Sequence, residues 1–113
     1  MSRILAQRWH AMRTSETRLV EDVLRKAGFG QLDSYRYNSA TIRVRVVDRR
    51  FEGLPHEKRV DMVQPHLAQL PERTEADITG LHLFTPSELR QGPGLFKEFS
   101  SNAEFDDPSP STL

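Results

Sequence analysis

The chain has 113 residues, 16 acidic against 16 basic side chains, and no cysteine. That length fits one domain, and the lack of cysteine excludes disulfides, thiolate catalysis and thiolate metal ligands. No apolar run approaches the roughly 20 residues of a membrane span, and the N-terminal MSRILAQRWHAM lacks the apolar stretch of a secretory signal, so a cytoplasmic protein is expected.

The charge is unevenly spread: residues 1–50 carry a net +6 and residues 51–113 a net −6. Such asymmetry marks either a nucleic-acid face on the first half or a basic sheet face neutralised by an acidic tail, and the near-neutral pI favours the second.

In chain order, Leu5, Trp9 and Met12 fall at helical spacing within an N-terminal extension, 1–13. A helix follows over Ser15–Ala27, with Leu19, Val20, Val23, Leu24 and Ala27 as its apolar stripe and Glu16, Arg18, Glu21, Asp22, Arg25 and Lys26 covering the rest. Thr14 or Ser15 caps it, and GFG at Gly28–Gly30 ends it. A hairpin comes next: a strand over Gln31–Tyr37, a turn at Asn38-Ser39, and a strand over Thr41–Val47. Ile42, Val44 and Val46 share one face of that second strand and Arg43 and Arg45 the other, so one face is expected packed and the other wet.

After FEGL, Pro55 opens a second helix in which Val60, Val63, Leu67 and Leu70 repeat at three and four. Pro65 lies inside it and predicts a kink or an irregular start near Asp61–Pro65. A third strand spans Ala76–Phe84, with Thr79, Leu81 and Leu83 on one face and Ile78, Gly80 and His82 on the other. Thr85-Pro86-Ser87-Glu88 has the signature of a capping box and predicts a short third helix. From residue 92 the chain reads as a disordered acidic tail, 92–113. The order helix, strand, strand, helix, strand, helix predicts an α+β domain over 14–91: a three-stranded sheet with helices on one face and its basic face open.

Three stretches carry a family likeness. SYRYN at Ser34–Asn38, IRVRVVDRRFEG at Ile42–Gly53 and TGLHLFTPSEL at Thr79–Leu89 together resemble the BolA family, whose domain has a class II KH-like fold. The resemblance covers about Thr17–Arg90. It implies a small non-enzymatic accessory protein that partners a monothiol glutaredoxin, shares a [2Fe–2S] cluster with it or passes iron onward, and in some bacterial members touches DNA.

The ligand positions differ from the family pattern. Arg59-Val60 stands where the family has arginine-histidine, Asp77 falls where it has its cluster-ligating histidine, and the short loop at Thr41 offers no second ligand. A carboxylate is a harder ligand than the thiolate or imidazole that holds iron in such clusters. Asp77 and His82 are therefore the replacement ligands to examine for a shared cluster; the alternative for His82 is a half-buried histidine bonded to a neighbour. His56 and His66 lie ten apart on the Pro65-interrupted helix and read as chance placement.

The arginine set Arg36, Arg43, Arg45, Arg49 and Arg50 could take phosphate or an acidic partner from the open sheet face. The GXXG clamp of nucleic-acid-binding KH domains is missing, since GLPH at Gly53–His56 is not that motif. Arg49, Arg50 and Phe51 are alternatively partner-docking residues, with Arg59 on the helix behind them. No nucleophile–base constellation can be assembled, so the chain is read as an interaction module and not as an enzyme.

Overall fold

The computed structural model describes residues 9–90; residues 1–8 and 91–113 lie outside them, and with them the expected tail over 92–113. Helix α1 (Ser15–Lys26) starts at Thr14, whose hydroxyl accepts from the Thr17 amide while Thr17 Oγ1 accepts from the Thr14 amide. Two otherwise orphaned donors are thus satisfied reciprocally. At its other end Gly28 adopts φ +91°, its amide donates to Arg25 and the Phe29 amide donates to Leu24. That is the paired-bond glycine stop, which a side chain at Gly28 would strain.

Strands β1 (Gln31–Asn38) and β2 (Thr41–Val47) form the expected hairpin, antiparallel through Leu32–Val46 and Ser34–Val44. Strand β3 (Ile78–Phe84) lies parallel to β2 on its other side, giving the order β1-β2-β3. A parallel neighbour requires a crossover, and here it is made by α2 (His56–Leu67) and α3 (Glu72–Asp77). A short α4 (Pro86–Arg90) follows β3. The molecule is an α+β domain with a mixed three-stranded sheet, as the order of elements predicts.

The main core lies between α1, α2 and one face of the sheet. Val20 and Leu24 of α1, Ile42, Val44 and Val46 of β2, and Val63 and Leu67 of α2 are all buried there. Phe51, from the one-turn 3-10 helix Arg49–Phe51, joins them.

Several sequence expectations are corrected. Leu19 is 41 % exposed, and the buried positions of α1 are Thr17, Val20, Glu21 and Leu24. Glu21 takes a core-side position because it closes the outer edge of β1: its carboxylate accepts from the Ser34 amide and hydroxyl and from Arg13. Helix α2 runs through Pro65 to Leu67 without a break in its assignment. Pro65 and Asp61, whose carbonyl loses its intrahelical donor, are both exposed. Ala76 and Asp77 belong to α3, a helix the apolar periodicity did not signal, and β3 starts only at Ile78.

In β3 the register slips between Ile42 and Arg43, leaving Thr79 as an extra residue. The bulge turns Ile78 to the core side, with Leu81 and Leu83, while Thr79 is exposed. The second sheet face is not the wet basic surface expected: Arg45 is 3 % exposed, and Asp33, directly opposite it in the register, is fully buried. Tyr35 and Trp9 form a second buried cluster with Met12. The Arg36 amide donates to the Met12 carbonyl, which ties the segment around Trp9–Arg13 to β1.

Candidate interaction surface

The segment DRRFEG between β2 and α2 is a structural corner. Asp48 ends β2, accepts from the Gly30 amide and the Arg50 amide, and receives Arg50 Nε at 3.1 Å and Nη2 at 3.3 Å. Arg50 also stacks on Phe29, its guanidinium carbon 4.2 Å from the ring centre. Phe51, expected as a docking residue, is fully buried, and Gly53 turns the chain with φ +75°.

Arg59 is likewise structural where a binding role is expected. Its guanidinium donates to the Leu54 carbonyl at 2.8 Å, to the Leu83 carbonyl at 3.0 Å, and to both oxygens of Glu88 at 2.7 and 2.9 Å. Hydrogen bonds from Arg59 hold the Glu88 carboxyl below the usual carboxylate range, against the opposing effect of burial. Glu88 also accepts from the Thr85 amide while its own amide donates to Thr85 Oγ1, so the capping box and the ion pair share one carboxylate. The corner, α2, β3 and α4 are thus joined at one guanidinium. The signal available in the sequence is the spacing: Arg59, Val63 and Leu67 repeat at four, placing an arginine on the buried stripe.

The two ligand candidates are not brought together. Asp77, at the end of α3, accepts from Arg36 Nη2 at 3.0 Å, and the same nitrogen donates to Glu16 at 2.8 Å. Desolvation lowers the basicity of Arg36, but the bonds to Asp77 and Glu16 outweigh it and the pKa is raised. Arg36 sits on the core side of β1, opposite Ile42, whereas His82 lies opposite Arg45 and so on the other face. The described residues contain no cluster of three His, Asp or Glu that could hold a metal ion. Asp77 thus already serves a guanidinium, and His82 stands apart from it, so the two do not form one donor set.

The arginine set is similarly dispersed. Arg45 pairs with Asp33 at 3.4 Å, and burial lowers its pKa although Asp33 pulls the other way. Arg43 lies over Tyr37, its guanidinium carbon 5.2 Å from the ring centre. Arg49 is exposed. Arg36, Arg45 and Arg50 each meet a carboxylate, and Arg36–Asp77 sets a basic residue of the first half against an acidic one of the second.

Among the described residues, the outer side of β3 is left accessible. A hollow of about 330 Å³ lies between the β3 edge and the start of α2, bounded by Leu54, His56, His82, Phe84 and the Arg59–Glu88 pair. A second, of about 340 Å³, is bounded by Gln64, Leu67, Glu72, Glu75 and Ile78, and Leu81 lines both. His56 belongs to this surface through the crossover geometry, which sequence spacing does not reveal. Comparison of the chain with protein-family models, curated proteins and solved structures finds no match.

Proposed function

We propose that the chain is a non-enzymatic, BolA-like interaction module of the cytoplasm that docks a protein partner without ligating a cluster through Asp77. A monothiol glutaredoxin is the first candidate partner, and iron–sulfur or iron homeostasis the setting. The observation that carries the docking role is the pair of hollows meeting at Leu81, walled by a rigid guanidinium–carboxylate clamp. A concave surface that sets apolar side chains such as Leu54, Leu81 and Phe84 beside placed polar ones supports a binding site. The Arg36–Asp77 ion pair supports docking without ligation by Asp77.

Calorimetric titration of the full chain with a monothiol glutaredoxin tests this reading. One-to-one binding is expected, weakened about tenfold or more by Leu54→Lys, which puts a charge into the hollow. Binding untouched by Leu54→Lys removes the hollow from the interface, and no binding removes glutaredoxin as the partner. The alternative, a nucleic-acid-binding or transcription-regulating module using the arginine face, is supported less, because three of its five arginines, Arg36, Arg45 and Arg50, meet carboxylates.

A further inference from the structure

The two outer edges of the sheet are finished differently. On β1 the outward amides of Ser34 and Arg36 are met by Glu21 and by the Met12 carbonyl. On β3, two bonds fix which groups face outward: the Phe84 carbonyl accepts from Asp48 on the β2 side, and the Leu83 carbonyl accepts from Arg59 on the outer side. Alternation along the strand then points the Leu83 amide and both the amide and carbonyl of Leu81 away from β2. None of these three groups has a partner among the described residues. Proteins usually blunt such an edge with lysine, proline or a covering element; ITGLHLF contains neither residue.

Charge selects the occupant. Glu72 and Glu75 flank the α3 end of this edge, and the bond shown for Glu75 comes from the neutral Gln64 amide. A second copy would offer its own β3, which carries no lysine or arginine. Residues 91–113 of this chain carry one lysine against four acidic residues.

We propose that the outer edge of β3 receives an extended segment of a partner protein as a fourth strand, its apolar side chain against Leu81 and its basic side chain beside Glu72 and Glu75. The added strand is short, because Arg59 already holds the Leu83 carbonyl and the Thr79 bulge interrupts the other end. Main-chain bonds supply affinity in this mode and the alternate side chains supply selectivity. The inference rests on the docking function above and names its contact.

The test uses the ¹⁵N-labelled full chain and two acetylated, amidated peptides, Lys-Thr-Val-Thr-Val and Glu-Thr-Val-Thr-Val. Amide exchange at Leu81 and Leu83 should slow about tenfold or more at saturation with the lysine peptide, as pairing of an edge strand requires. That peptide should bind about threefold tighter than the glutamate peptide, the size of an exposed ion-pair effect, and the preference should vanish in Glu72→Gln with Glu75→Gln. Unchanged exchange at Leu81 and Leu83, or equal affinity for the two peptides, refutes the proposal. So does slow exchange in the free chain that is released by dilution or by removing residues 91–113, which would assign the edge to a second copy or to the chain's own C-terminal segment. Glutaredoxin binding that leaves both amides unprotected would keep the docking function and discard strand addition; peptide pairing without glutaredoxin binding would keep strand addition and remove glutaredoxin as the partner.

Discussion

Arg59 makes four hydrogen bonds to three different parts of the chain, and its loss should be felt as a loss of fold. Arg59→Leu leaves Glu88 and the Leu83 carbonyl without their donor, and should cost about 3 kcal/mol, the range for breaking a part-buried charge pair. Urea unfolding should show a lowered midpoint at unchanged slope, whereas Arg49→Ala at the exposed turn should change stability by less than about 0.5 kcal/mol. Two carboxylates give opposite pH signatures. Burial pushes the Glu21 carboxyl up, against hydrogen bonds from Ser34 and the charge of Arg13, with Asp33 adding to the upward push. A raised pKa means the folded state binds the extra proton, so Glu21 contributes stability below pH 4.5 that is lost as pH rises through its folded pKa. Glu88 is lowered, so its contribution is present above pH 4.5 and is lost as pH falls through its folded pKa. Stability against pH should therefore lose its falling limb above 4.5 in Glu21→Gln and its acid loss below 4.5 in Glu88→Gln; identical profiles in either variant and the parent would contradict the assignment.

At the scale of elements, local chemistry decides what is legible. The Thr14 cap, the Gly28 stop, the alternation in β2 and the Thr85–Glu88 box are all set by residues within a few positions of each other, and each appears where the sequence places it. Thr14→Ala should accordingly cost about 0.5–2 kcal/mol in thermal or urea unfolding, the effect of losing an N-cap. Features made by distant residues are not legible. Glu21 looks like a solvent-facing helix residue until β1 brings the Ser34 amide to it. Arg45 looks wet until the hairpin register sets the buried Asp33 opposite it. Helix α3 has no apolar stripe of its own, and Thr74 is its buried residue. The same limit governs the candidate site: Asp77 reads as a displaced ligand in sequence, and only the packing of α3 near the end of β1 gives it Arg36.

For the whole molecule, pairing of Arg36, Arg45 and Arg50 with carboxylates predicts weak polyanion binding. If only Arg43 and Arg49 contact phosphate, the slope of log affinity for duplex DNA against log salt should be no steeper than about −2; a slope of −4 or beyond would restore the arginine face as a binding surface. The charge asymmetry between the two halves is met in part by the long-range pair Arg36–Asp77, which holds a basic residue of the first half to an acidic one of the second. Among the described residues, what remains outward is one capped sheet edge, one uncapped edge, and two hollows joined at Leu81. The central claim, docking without ligation by this chain, is tested most directly by visible circular dichroism of an anaerobically reconstituted monothiol glutaredoxin titrated with the protein, with complex formation followed by sedimentation. A one-to-one complex whose cluster spectrum is the same with the parent chain, Asp77→Ala and His82→Ala is the predicted result. A spectrum that changes on adding the chain and reverts in either variant would contradict it.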